Sequence, residues 1–225
     1  MKDLIILGAG GLGQEIAWLV EEINEHKKEW NLLGFLDAYE GTFNTEVLGY
    51  PVLGPHSLSK KYRDAYFTMG YGDARLRRKT VEEVAPYNLK WANLYSPTVR
   101  IHHTNKIGTG VVIGRYSDLT VHCEIGNFVM LNIHVVLGHS VKVGDYTIIS
   151  PNVTVNGNAT IEHTCQIGAN SFIKEVTIGD HVLVDASSCV IKDVEPDCVV
   201  AGVPAKILHK GKANRSISKS ERDEK

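Results

Sequence analysis

The sequence predicts an α/β mononucleotide-binding unit followed by a parallel β-helix of hexapeptide repeats, and three observations carry that prediction. First, aliphatic residues recur every six positions: Ile101, Ile107, Ile113, Leu119, Ile125, Leu131, Leu137, Val143, Ile149, Val155, Ile161, Ile167 and Ile173. One residue is then dropped, and the frame resumes at Ile178, Val184 and Val190. Second, a small or β-branched residue falls four places after each tooth of this comb, from Val111 to Ser171, and glycine often follows the tooth directly, as at Gly108, Gly138 and Gly168. Such a period marks coils that stack and bury one continuous core. Neither a 3.6-residue helix nor a simple strand alternation holds this frame over so many teeth. Third, a glycine-rich turn, Gly8-Ala9-Gly10-Gly11-Leu12-Gly13, separates an apolar run from an amphipathic stretch near the start.

The elements follow in order. Residues 3–7 form a short buried strand, the glycines turn the chain, and residues 14–25 form a helix. Residues 32–36 make a second strand ending at Asp37, and residues 65–69 a third. A charged helix at 73–84 and a fourth strand near 89–94 complete a small parallel sheet with helices on its faces. At about 95 residues this is half of a full dinucleotide-binding domain, so four strands are expected. The boundary falls near Tyr95-Ser96-Pro97, giving a nucleotide-binding domain at 1–95 and a β-helix at 96–209. The polar, charged segment 210–225 is expected to be a flexible tail.

Bulk properties narrow the function. With 225 residues, a net charge of −2 and a pI near 6.5, the chain carries no basic field for nucleic acid or an anionic membrane. The apolar start is only four residues, Leu4 to Leu7, so neither a signal peptide nor a membrane span is expected. Of four cysteines, Cys123 and Cys165 fall on the small-residue core position, and none forms a CxxC pair with Cys189 or Cys198. Buried free thiols and a cytoplasmic location follow.

Gly8, Gly10 and Gly13 satisfy GxGxxG between a strand and a helix, where the helix N-terminus offers unpaired N–H groups to a phosphate. Asp37, at the end of the second strand, is placed to accept hydrogen bonds from a ribose hydroxyl or a base. With only one such half present, a nucleotide-sugar fits better than a dinucleotide. Ten histidines make a rich count, and His139 follows Leu137-Gly138 at a coil turn where side chains leave the core. An imidazole, with an ordinary pKa of about 6.5, serves as a general base near neutral pH. His134 and His139 form an H-x4-H pair that raises a zinc reading of the γ-class carbonic anhydrase kind. The place two coils earlier holds Thr98 instead of a third histidine, and zinc catalysis needs three protein ligands.

Taken with Gly34-Phe35-Leu36-Asp37, Gly70…Arg75 and Gly202-Val203-Pro204-Ala205-Lys206, these motifs resemble the bacterial sugar acyltransferases of the sialic-acid O-acetyltransferase and bacillosamine N-acetyltransferase type. The resemblance covers the chain to about Lys210. It implies a left-handed β-helix, against the usual right-handed crossover rule, and a homotrimer with active sites between neighbouring prisms. It further implies acetyl-CoA as co-substrate, no metal, and a role in surface polysaccharide biosynthesis. Catalysis would fall to His139 as base, with Asn132 near the reacting groups and Ser140 where the family often has a carboxylate. Gly10, Gly11, Leu12, Asp37 and Arg75 would bind the nucleotide-sugar. Gly157, Ala169 and Ala186 would line the acetyl-CoA groove, closed by Gly202, Val203, Pro204 and Lys206. The reaction expected is acetyl-CoA-dependent N-acetylation of a nucleotide-linked amino sugar by direct transfer. Sugar O-acetylation of the sialic-acid type is the alternative, and a non-enzymatic trimeric scaffold is a more distant one.

Overall fold

The computed structural model describes residues 1–211. The N-terminal unit runs β1 (Lys2–Leu7), α1 (Gly11–His26), β2 (Trp30–Leu36), β3 (Glu46–Val47), β4 (Tyr50–Gly54), β5 (Tyr66–Met69), α2 (Ala74–Val84) and β6 (Lys90–Trp91). These strands form one six-stranded sheet in the order β3-β4-β2-β1-β5-β6, parallel except for the β3–β4 pair. Four strands were expected. The β3–β4 hairpin is the addition, because Tyr50–Gly54 holds a proline and two flanking glycines and lacks the apolar run of a central strand. The chain travels outward from β1 to β4 and then returns to β5 on the other side of β1. A topological switch point therefore lies at the C-terminal ends of β1 and β5, where open α/β sheets bind ligands.

Leu94–Tyr95 is already a β-helical strand, pairing in parallel with Val112–Ile113. From there the comb builds a left-handed prism of three sheets. The first face stacks Val112–Ile113, Met130–Leu131, Ile148–Ile149, Gln166–Ile167 and Leu183–Val184. Every tooth from Ile113 to Ile173 is sealed in one core with the small residues Val111, Cys123, Val135, Ala159 and Cys165, whereas before them Ile107 is half-buried and Ile101 exposed. The dropped residue shows in the register, since Ile148 pairs with Gln166 but Gln166 pairs with Leu183.

Each prism edge turns through a left-handed residue three places after a tooth, from Tyr116, His122 and Phe128 to Thr164 and Asn170. The edges are counted by the turns that follow the three sheets, the first at 114–117, the second at 120–123 and the third at 126–129, each repeated coil by coil. Between Asn170 and His181 no left-handed residue occurs, so the deletion shortens one turn on the second edge. Glycine follows the tooth because coils approach closely there: a Cβ on Gly138 would stand 2.5 Å from the Gly157 nitrogen. Polar residues at the small core position are satisfied in a repeating way. Ser117, Thr147 and Ser171 each donate to a carbonyl of the following coil and accept an N–H from it, at Val135, Cys165 and Ser188.

The N-terminal unit lies on the first face. α1, β1 and Trp30 share an apolar cluster with Val112, Met130 and Ile148, while Phe128 joins the opposite cluster with Val81 and Val84 of α2. One fully buried arginine ties the two parts together. Arg77 donates to the carbonyls of Met69, Tyr71 and, across the junction, Phe128. Burial without a carboxylate partner pulls its pKa down. At the C-terminus, Cys198–Gly202 and Ala205–Lys210 form an antiparallel hairpin. Lys210, expected to begin the tail, is instead its last strand residue and pairs with Glu195 at 2.7 Å. Residues 212–225 of the expected tail lie outside the described residues. Among the described residues no helix is long and apolar enough to cross a membrane.

Candidate active site

The glycine turn sits at the switch point. Gly10 caps α1 without a side chain, leaving the first-turn N–H groups open to a ligand. The glycines divide by cause. A Cβ on Gly13 would collide with the Gly8 carbonyl oxygen, so the fold itself demands glycine there. A Cβ on Gly10 or Gly11 would meet nothing within 4 Å, and neither has a left-handed φ. Nothing in the chain's own packing asks for glycine at those two places, whereas a ligand drawn against the backbone would. Leu12, half-buried, packs against Gly72 beside them.

Asp37 is buried, and its carboxylate accepts the Ala9 N–H at 2.6 Å and the Tyr39 N–H at 2.9 Å. It staples the glycine turn to the end of β2 and still has a lone pair on each oxygen for a ligand hydroxyl. Tyr71 completes the floor of the crevice, with its ring against Gly8 and its hydroxyl accepting the Ala38 N–H at 3.4 Å. Burial, reinforced by the Asp37 carboxylate, pushes the Tyr71 phenol above its ordinary range.

On the β-helix, His139 is exposed on the second edge. Its ring lies over Gly157 of the next coil, where a Cβ would stand 2.6 Å from Nε2. The missing side chain at Gly157 therefore makes room for the imidazole. Ser140 follows as the left-handed turn residue, its N–H bonded to the Val121 carbonyl. Asn132 stands on the first edge, its Oδ1 accepting the Ile133 N–H, beside a groove lined by Trp18, Arg115, Ile133 and Pro151. Arg115 stacks on Trp18 at 3.5 Å and pairs with Glu22 at 3.1 Å. Ala169 and Ala186 continue that same edge. Gly202 reaches it through its N–H to Ser188 Oγ, and Val203, Pro204 and Lys206 belong to the terminal hairpin turn and its second strand.

Within one chain, then, the expected site is divided. His139, Ser140 and Gly157 occupy the second edge, while Asn132, Ala169, Ala186 and the Gly202 turn occupy the first. Arg75 goes elsewhere: it lines a groove between α2 and the third edge with Arg78, Thr164 and His181. His134, the partner in the H-x4-H pair, is on the first edge and stacks on Tyr116, away from His139 on the second. Of the metal-like group Glu162, His163 and Asp180, the last two are engaged in the fold. On that third edge Asn127, Asp145, His163 and Asp180 each accept an N–H from the preceding coil, at Thr109, Asn127, Asp145 and His163.

Two of the four thiols are structural. Cys123 and Cys165 occupy the position of Ser117 and Thr147, and each donates to a carbonyl of the next coil. Burial pushes Cys165 up to about 12, so it carries no nucleophilic thiolate at neutral pH.

The sequence reading missed Tyr71, Arg77 and His56. Arg77 had a signal, because it shares the buried stripe of α2 with Ala74, Thr80, Val81 and Val84, where an arginine is out of place. His56 and Tyr71 had none, since they meet only in three dimensions.

Two family models match the chain: the PglD N-terminal domain over residues 3–84 and the bacterial transferase hexapeptide (six repeats) over residues 122–157. A comparison with curated protein sequences returned no match. Among solved structures, the acetyltransferase domain of PglB from Neisseria gonorrhoeae, in complex with acetyl coenzyme A, is 28% identical. The alignment covers 92% of this chain and 99% of that one at a TM-score of 0.81. WeeI from Acinetobacter baumannii is also 28% identical, covering 92% of this chain and 100% of that one, with a TM-score of 0.81. A mutant perosamine N-acetyltransferase from Caulobacter crescentus, in complex with CoA and GDP-perosamine, shares the fold at 22% identity and a TM-score of 0.76, over 93% of this chain and 98% of that one. The resemblance to bacterial sugar acyltransferases that the motifs carried thus extends over nearly all the described residues.

Proposed function

We propose that this acyltransferase of the hexapeptide-repeat sugar-acetyltransferase type moves an acetyl group from acetyl-CoA to the amino group of a nucleotide-linked sugar. The observation that carries the reading is the union, in one body, of a glycine turn bared at Gly10 and Gly11 with an exposed imidazole seated over Gly157. The first suits the phosphates of a nucleotide, and the second suits proton removal from a nucleophile. The acetyl-CoA bound to the PglB domain supports the choice of donor.

The division of the site over two edges supports a homotrimer, in which the second edge of one prism faces the first edge of its neighbour. His139 and Asn132 then meet across the interface, and the nucleotide crevice opens on the same cleft. The nitrogen lone pair attacks the thioester carbonyl while His139 takes the amine proton. A C–N bond forms, the C–S bond breaks, and CoA leaves as the thiolate. A neutral amine needs less activation than a hydroxyl, which fits Ser140 in place of a carboxylate beside the base. A cytoplasmic setting belongs to this reading, and the four free cysteines among the described residues are compatible with a reducing compartment.

The test is His139→Ala. Turnover is expected to fall at least about a hundredfold while the affinities for acetyl-CoA and sugar nucleotide change little. Turnover within threefold of wild type removes His139 from the mechanism.

A further inference from the structure

Beneath the glycine turn runs a hydrogen-bonded chain that the chemistry above does not use. His56 enters from the turn of 3-10 helix after β4 (His56–Tyr62) and is 2% exposed. Its Nε2 lies 2.9 Å from the Tyr71 hydroxyl, and its Nδ1 lies 3.4 Å from Glu83 Oε2 on α2. At the other end, the Tyr71 oxygen receives the Ala38 N–H.

For a neutral imidazole these contacts have one consistent direction. The ionised Glu83 carboxylate can only accept, so the ring proton sits on Nδ1 and Nε2 is the bare nitrogen. The phenol proton therefore goes to His56 Nε2, while a lone pair of the phenol oxygen accepts the Ala38 N–H. Every donor in Glu83–His56–Tyr71–Ala38 is matched, and the order of the chain is set from its carboxylate end.

The chain terminates at the ligand crevice. Ala38 lies between Asp37, which holds the Ala9 N–H, and Tyr39, whose N–H holds Asp37. The Tyr71 carbonyl is itself pinned by Arg77 at 3.0 Å, and its ring rests on Gly8. Three strand ends, those of β1, β2 and β5, are therefore aligned through a single phenol. A residue so placed governs where the backbone of residues 37–39 stands relative to Gly10 and Gly11, the span a nucleoside diphosphate would bridge.

We propose that Tyr71 and His56 are positioning residues for the nucleotide half of the substrate, acting on it through the 37–39 backbone and the glycine turn. The proposal rests on the nucleotide-sugar reading, and the experiment separates the two.

Titrate the full-length protein with UDP, GDP and dTDP by calorimetry, with acetyl-CoA as internal control, in wild type, Tyr71→Phe, His56→Leu, His56→Gln and the Tyr71→Phe/His56→Leu pair. Tyr71→Phe is expected to weaken the nucleotide that wild type binds best about five- to tenfold, the scale of one hydrogen bond, with acetyl-CoA unchanged within twofold. His56→Gln, which restores an acceptor toward the phenol, is expected to stay within threefold of wild type. In the Tyr71→Phe background, His56→Leu is expected to add less than twofold, because the link is already cut. Additive losses, equal loss of acetyl-CoA affinity, or a Tyr71→Phe protein that binds within twofold of wild type overturn the proposal. Amide exchange needs no ligand and reads the link directly: the Ala38 amide should exchange faster in Tyr71→Phe, and unchanged exchange overturns the link. If wild type binds none of the three nucleotides, the nucleotide-sugar reading fails and the positioning role fails with it. Faster Ala38 exchange would then still establish the hydrogen-bonded chain.

Discussion

In the β-helix each polar solution is used repeatedly, whereas in the N-terminal unit each is used once. Ser117, Thr147 and Ser171 satisfy the core by one geometry, and Cys123 and Cys165 repeat its donor half. Arg77, Asp37 and the Tyr71–His56 pair have no counterparts, and each joins elements distant in sequence. Repetition spreads the consequences of a substitution over neighbouring coils, as expected where each unit contacts only its neighbours. A unique junction has no such neighbours to share the strain. The difference also separates roles: the repeated part presents His139 on an edge, and the unique part shapes a crevice.

The comparison can be broken most directly at Arg77. Arg77→Met keeps the bulk but strips hydrogen bonds from the carbonyls of Met69, Tyr71 and Phe128. Relief of a buried charge offsets part of this cost. The unpaired carbonyls win, and the net loss should be about 3 kcal/mol in urea unfolding. A variant as stable as wild type would mean that the junction is not held by its polar centre. Gly13→Ala comes next, because its Cβ meets the Gly8 carbonyl and forces β1 and α1 apart. A loss of about 2 kcal/mol in the free energy of urea unfolding is expected. Gly11→Ala, at the first helical position, sharpens the contrast: stability should hold or rise by about 0.5 kcal/mol, while nucleoside diphosphate affinity falls. Equal stability losses at both glycines would remove the distinction between fold-required and ligand-required positions. The smallest effect is expected in the β-helix, where Thr147→Val leaves the Glu162 carbonyl and the Cys165 N–H unpaired in a setting its neighbours still satisfy. About 1 kcal/mol should be lost in thermal unfolding. A larger loss than at Arg77 would reverse the comparison.

Legibility follows the same line. The comb gave the frame, the core and the dropped residue, because a tooth every six positions is a property of the chain read along itself. It also placed His139 on a turn, since the turns fall between teeth. What residue types do not announce is that the position three after a tooth takes left-handed φ: Tyr116, Phe128 and Thr164 do so although side chains of their kind resist it. In the N-terminal unit the glycine turn, α1 and α2 were legible, while the β3–β4 hairpin was not. Arg75 was read as part of the nucleotide site but opens on the groove along the third edge.

By itself the sequence determined the β-helix, its phase, the glycine turn and the family resemblance, because short-range periodicity and turn chemistry are written in neighbouring residues. Tertiary structure alone decided that His139 and Asn132 stand on different edges of one chain, since a side chain's edge depends on how 18-residue coils close and stack. It alone brought His56 to Tyr71 and Arg77 to Phe128, because those contacts join residues whose separations follow no period.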